Sequence, residues 1–379
     1  MEVGFFYGPS DKFGDAYNLQ SVGSYITLLQ LASNLDAARL LSKKELLIFE
    51  ENTLIVWPDE FFSVKDNFTN SLWRNVLETN LQKVYVVNPP KLLVEQTKLL
   101  FGSESVTERN QPYKSINLDL IRKVSSSLES VIIGQDKAVK SLSRCLVSLM
   151  NSKKKPVVVM LYGPTGVGKT ESAKIIANAL GGEASRMQFS MLQTGSLADY
   201  LYGSNVSSRS FAADLLGRQS NVVIFDEFDK TGGAFHSAFY QLFDEGVFVD
   251  KNYSVNMTNT LIVCTSNYSS PQEIRQRLGA PLSSRFSAFI KYESLNQVAK
   301  TTIIRQKINE AYKSYPESLR QSIDKNEIEQ RFMSTLRKSS NVREITAYIE
   351  QIISSSILSS VEEKSDSENT SPPKTAELI

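Results

Sequence analysis

The run Gly163-Pro164-Thr165-Gly166-Val167-Gly168-Lys169-Thr170 fits the pattern G-x-x-x-x-G-K-[ST] at every fixed position. Glycines at that spacing let the backbone wrap so that several N–H groups point inward at phosphate oxygens. A helix opening behind the loop adds the positive end of its dipole. Lys169 supplies a mobile charge for the β- and γ-phosphates, Thr170 offers a hydroxyl to Mg²⁺, and Glu171 continues the nucleotide-facing run. A second signal is Val222-Val223-Ile224-Phe225-Asp226-Glu227, an apolar run that delivers two acids at its end. Ligands of open α/β sheets gather at the carboxyl ends of strands. Asp226 is placed to hold Mg²⁺, and Glu227 to orient and deprotonate an attacking water. The chemistry so specified is hydrolysis of a nucleoside triphosphate, with ATP and Mg²⁺ as the expected cofactors.

These groups need a scaffold. Val157–Leu161 is an apolar run directly before the loop, and Glu171–Ala177 reads as a helix directly behind it. Further candidate strands are Arg186–Phe189, Val222–Phe225, Leu261–Thr265 and Phe289–Tyr292, alternating with helical stretches. That alternation predicts an α/β fold, a parallel five-stranded sheet with helices on both faces. From Leu295 the period becomes helical, in Val298–Ala311 and Val342–Ile357, which predicts a helical lid over 294–360. Residues 113–293 form the expected core, and 361–379, rich in Ser, Glu and Pro, an expected disordered tail. Residues 1–112 read as a small α+β domain of their own. It contains a helix in Tyr25–Leu41, a hairpin from Leu46–Phe49 and Leu54–Trp57, and a strand at Val84–Val87 stopped by prolines. Ser103–Ser115 is the expected linker, and no internal repeat stands out.

Of 379 residues, 42 are Lys or Arg and 41 Asp or Glu, for a formal net charge of +1. That balance argues against a dedicated nucleic-acid binder, whose affinity comes largely from neutralising phosphates. The one dense basic run, Lys153-Lys154-Lys155-Pro156, reads as a solvated turn. Two cysteines in apolar stretches, Cys145 and Cys264, suit buried reduced thiols in a cytoplasmic protein, and the single His236 cannot build a metal site with them. No basic, apolar leader opens the chain and no window approaches a membrane span. Trp57 and Trp73 lie among apolar neighbours and read as core.

With these residues in place the chain resembles the AAA+ ATPases, specifically the Clp-type unfoldases and the second ATPase domain of the ClpB-like disaggregases. Val131-Ile132-Ile133-Gly134-Gln135-Asp136 is similar to the family's box before the first strand, which implies that Ile132 and Ile133 contact adenine. Phe225-Asp226-Glu227-Phe228-Asp229-Lys230 resembles the Walker B strand, and Thr265-Ser266-Asn267 the sensor-1 element, so Asn267 would bond the attacking water or the γ-phosphate. Leu282-Ser283-Ser284-Arg285-Phe286 falls where the family carries its arginine finger, which implies that Arg285 acts in trans within a ring, most often a hexamer. Ser340-Asn341-Val342-Arg343-Glu344 resembles sensor 2, so Arg343 would reach the γ-phosphate from the lid. The resemblance covers roughly residues 116–360.

It implies a magnesium-dependent ATPase that remodels or unfolds protein substrates or complexes, with a protein substrate or adaptor as partner. The alternative is a nucleotide-controlled assembly or DNA-transaction factor that threads nothing. Two departures bear on that choice. Between the second and third strands, Leu201–Phe211 contains no aromatic-glycine pore motif, and Tyr200 and Tyr202 read as packed residues. No Ile-Gly-Phe or Ile-Gly-Leu tripeptide supports docking of a Clp peptidase.

Overall fold

The computed structural model describes residues 1–18, 20, 23–150, 155–191, 194–321, 323–335 and 341–369. Strand β6 (Val157–Tyr162) is buried along its whole length. Val157, Val159 and Leu161 enter the apolar cluster on one side of the sheet, Val158, Met160 and Tyr162 the cluster on the other. This period of two is what a strand covered on both faces requires. The same alternation runs through β8 (Val222–Asp226) and β11 (Leu261–Ser266). With β7 (Ser185–Gln188) and β12 (Ala288–Lys291) they form a five-stranded parallel sheet in the order β12-β6-β11-β8-β7. All five expected strands are present. One face is filled by a group of phenylalanines, Phe189, Phe211, Phe225, Phe228, Phe239 and Phe243. The other is covered by the helices Leu118–Val131, Asp136–Met150 and Lys169–Ala179. A short antiparallel pair, β9 (Val247–Val249) and β10 (Ser254–Asn256), precedes β11 and was not anticipated.

The lid consists of the helices Gln297–Ser314, Lys325–Thr335 and Val342–Asn369. They share a separate cluster built on Ile304, Ile308, Phe332, Ile345, Ile349 and Ile353. The last helix runs to Asn369, past the boundary at which a disordered tail was expected. Extending an existing helix adds one hydrogen bond per residue without a new nucleus, and Glu and Lys are good helix formers. Residues 370–379, like Lys153, Lys154 and Ser340, lie outside the described residues.

The N-terminal module corrects the sequence reading most. It is a parallel α/β module rather than α+β: β1 (Glu2–Tyr7), β2 (Ile26–Thr27), β3 (Thr53–Val56), β4 (Lys83–Val87) and β5 (Val106–Asn110) pair in the order β2-β3-β4-β1-β5. The expected hairpin is absent. Lys44–Leu47 forms a short 3₁₀ turn, while β3 runs parallel to β4 with Leu54 and Val56 on one face and Ile55 on the other. A short apolar run is equally compatible with a doubly covered strand and with half a hairpin. The expected linker also contains structure, since Val106–Asn110 is the edge strand beside β1; its outer side meets water, which explains its polarity. Trp73 packs in the module's core and donates its indole N–H to Thr97 Oγ1 at 2.9 Å. Trp57 packs edge-on against Phe13. Both cysteines are buried and free. The two parallel sheets share one strand order, a repeat that the sequence did not announce.

Candidate functional site

At the carboxyl end of β6 the chain turns through Gly163, Gly166 and Gly168, whose φ angles are 131°, 73° and 100°. Two of these turns are closely approached by other segments. A Cβ on Gly163 would overlap the carbonyl of Tyr292, and one on Gly166 would overlap the side chain of Asn341. Val167 is buried and anchors the loop from below. The helix beginning at Lys169 follows, capped at Gly168. Lys169 is largely buried, and its Nζ donates to Gly163 O at 2.6 Å, Pro164 O at 2.7 Å and Asn267 Oδ1 at 3.3 Å. Burial lowers its pKa to about 8, against the partial support of Asp229 and Asp226. A triphosphate would supply the missing counter-charge.

The acids stand opposite. Asp226 Oδ1 accepts from Thr170 Oγ1 at 3.2 Å and from the hydroxyl of Thr265, and Oδ2 accepts from Arg186 Nε at 3.0 Å. Burial alone would raise this carboxyl, but the hydrogen bonds from Thr265 and Arg186, the charge of Arg186 and the bond from Thr170 together hold it below its ordinary value. Glu227 takes a left-handed conformation, φ 55°, and its N–H donates to Thr265 Oγ1 at 3.0 Å. A non-glycine residue held there is strained, and strain of this kind concentrates at functional positions. Asp229 is raised chiefly by burial, and its Oδ1 has no hydrogen-bond partner among the described residues.

A cavity of about 820 Å³ joins these groups, running from the phosphate loop to the lid. Of the residues singled out from the sequence, Ile132, Ile133, Thr165, Gly166, Val167, Gly168, Lys169, Thr170, Glu171, Asp226, Glu227, Asn267 and Arg343 line it. Gly163 and Pro164 lie beneath the loop as acceptors for Lys169. Gln135 fastens the Ile132–Ile133 segment to the end of β12, donating to Glu293 O at 2.8 Å and accepting from Glu293 N at 2.9 Å. The lid closes the far side, where Val342 N–H donates to Gly166 O at 3.1 Å and brings Arg343 over the cleft. Arg285 lies elsewhere: its Nε donates to Asp244 Oδ2 at 2.7 Å and its guanidinium sits 4.5 Å from the Tyr240 ring centroid.

Sequence reasoning missed Arg186, Thr265 and Asn341 as members of the site. An arginine inside an expected buried strand was the available signal for Arg186, because a buried charge needs a partner. The oxygens of Thr170 and Asp226 are hard donors suited to Mg²⁺. Among the described residues no group of three or more His, Cys, Asp or Glu could hold a metal ion.

Loop, sheet order and acids define a phosphate-loop ATPase core, and residues 154–338 match the model of the AAA domain (Cdc48 subfamily). Over that stretch the chain is similar to the Clp-type AAA+ ATPases. It is similar to the ATP-dependent Clp protease ATP-binding subunit ClpL of Staphylococcus aureus strain bovine RF122 / ET3-1, 28% identical over 215 residues, which are 50% of this chain and 30% of that relative. It is also similar to the chaperone protein ClpB of Chlamydia pneumoniae, 33% identical over 163 residues, 39% of this chain and 19% of that relative. The chain thus spans under a third of the length of these curated relatives.

Proposed function

We propose that the chain binds and hydrolyses ATP with Mg²⁺ and works in a ring, most simply a hexamer, as a remodeller of protein substrates or complexes. The observation that carries this reading is the convergence of Lys169, Asn267, Asp226 and Glu227 on one cavity closed by the lid. Loop N–H groups and Lys169 hold the β- and γ-phosphates. Thr170 and Asp226 would hold the metal, which would neutralise phosphate charge when bound. Glu227 takes the proton of the attacking water, and Asn267, beside Lys169, fixes that water against the γ-phosphate. Ile132 and Ile133 offer an apolar wall to the base. Arg343 contacts the γ-phosphate from the lid, so that hydrolysis loosens the lid and moves it. Arg285, outside its own cleft, serves the neighbouring subunit's. The names of the two relatives, an ATP-binding subunit and a chaperone, support the reading.

The Glu227→Gln variant tests it. Nucleotide binding is retained and turnover falls by about 10²- to 10⁴-fold; full turnover in that variant would remove Glu227 from the role of base. A cytoplasmic setting accords with the two buried thiols. No helix among the described residues is long and apolar enough to cross a membrane.

One observation favours the second reading, an assembly or DNA-transaction factor that does not thread. Tyr200 is packed as expected, its hydroxyl donating to Asp214 Oδ2 at 2.6 Å, and Val206 is buried; Tyr202, expected from the sequence to be packed, is instead exposed. Substrate remodelling that survives loss of both tyrosines would favour that reading.

A further inference from the structure

The two parallel sheets correspond strand by strand. Reading β2-β3-β4-β1-β5 against β7-β8-β11-β6-β12 pairs β1 with β6, β3 with β8 and β4 with β11. The loops leaving the paired strands agree as well. Tyr7-Gly8-Pro9-Ser10 leaves β1 with the same residue pattern as Tyr162-Gly163-Pro164-Thr165 leaving β6, and Asn88 stands one residue beyond β4 as Asn267 stands one residue beyond β11. In the core this edge is the nucleotide site.

In the N-terminal module the same edge has the opposite chemistry. Asp11 stands in the place of Gly166, the buried Phe13 in that of Gly168, and Gly14 in that of Lys169. Asn88 closes what remains, accepting from Gly8 N–H at 2.9 Å and donating to Gly8 O at 2.8 Å. The first N–H that could turn toward a phosphate is thereby taken, and the lysine is missing. The core packs around this edge instead, leaving a cavity of about 360 Å³ between Ser10 and Asn88 on one side and Arg186 and Arg209 on the other. Val206 is buried in the module's own apolar cluster, and Ser207 N–H donates to Asp66 Oδ1 at 3.0 Å. Lys91, at the start of the helix that follows β4, donates its N–H to Asn252 O at 2.8 Å and its Nζ to Asp250 O at 2.6 Å, at the turn between β9 and β10.

We propose that the N-terminal module is a nucleotide-free counterpart of the ATPase core, and that the rim of its former ligand edge is now the intramolecular dock for Val206 and Ser207 and for the turn at Asp250 and Asn252 of the core. The segment between the second and third core strands is thus held by the module, and its movement carries the module with it. The dock does not depend on whether the core hydrolyses ATP.

Two measurements on the full chain test this and keep it separate from the ATPase reading. Titration with a fluorescent ATP analogue gives one site per chain, abolished in Lys169→Ala; a site surviving that change would overturn the nucleotide-free assignment. A wild-type chain that binds none would instead count against the ATPase reading. For the dock, Val206→Asp raises the rate of trypsin cleavage after Lys114 by roughly tenfold. Should that variant fold poorly, paired Asp66→Cys and Ser207→Cys substitutions form a disulfide on mild oxidation, seen as a mobility shift on non-reducing gels. An unchanged cleavage rate in a folded Val206→Asp chain, or no cross-link, would overturn the docking.

Discussion

Arg186 neutralises Asp226 inside the cleft between the glycine-rich loop and the lid: its Nε lies 3.0 Å from Oδ2, while Thr170 and Thr265 occupy the other carboxylate oxygen. The acid proposed for the metal therefore already holds a cation, and any Mg²⁺ competes with a guanidinium.

Removing that competitor with Arg186→Ala lowers the Mg²⁺ concentration needed for half-maximal nucleotide binding by roughly tenfold, the effect of one charge-assisted hydrogen bond. A magnesium titration followed by analogue fluorescence reads it directly. An unchanged midpoint would show that the pair opens at no cost.

Lys169 links binding to pH. Its pKa in the folded chain is about 8, below the ordinary 10.5, so between those values the unfolded chain binds more protons than the folded one. From this group alone, the ligand-free protein gains stability as pH rises across that window, and the burial penalty is fully present below it. Triphosphate restores the ammonium, so ATP binding takes up protons near pH 8 and weakens as pH rises further. Calorimetry in two buffers of different ionisation enthalpy measures the uptake. Identical heats in both would contradict the assignment.

Gly166→Ala pushes the phosphate loop and the lid apart. The position has φ 73°, and the added methyl overlaps Asn341 beside the Val342-to-Gly166 hydrogen bond. Strain of about 1–3 kcal/mol is expected in thermal unfolding, with a matching loss of nucleotide affinity. Adding Asn341→Gly removes the overlap and recovers part of the affinity; no recovery would place the damage in the loop alone.

For Arg285 the decisive measurement is a mixing experiment. Glu227→Gln subunits keep the arginine and Arg285→Ala subunits keep the base, so each is inactive alone. If the arginine acts across subunits, mixed assemblies regain part of the ATPase rate. Mixtures as inactive as their components would confine Arg285 to its contact with Asp244.

Much of the core was readable because its determinants are contiguous. Val157–Tyr162, the glycine loop and the helix from Lys169 follow one another within a short stretch, and each specifies local backbone geometry. The N-terminal module was not readable in the same way. Its β2 has two residues, its β5 is polar, and its apolar β3 could equally have been half a hairpin. Arg186 joins Asp226 only because β7 lies beside β8, with Met187 opposite Phe225 and Gln188 opposite Asp226.

By itself, then, the amino-acid sequence determined a glycine-rich loop between a strand and a helix, a strand ending in two acids and a helical C-terminal region, since spacing and residue type act over a few bonds. Only the tertiary structure decided which cation Asp226 holds, that Asn88 seals Gly8 across 80 residues of chain, and that Val206 belongs to the N-terminal module's core. Those outcomes rest on strand order and long-range packing. Their loop-closure entropy is offset by the whole assembled core, and no local pattern records it.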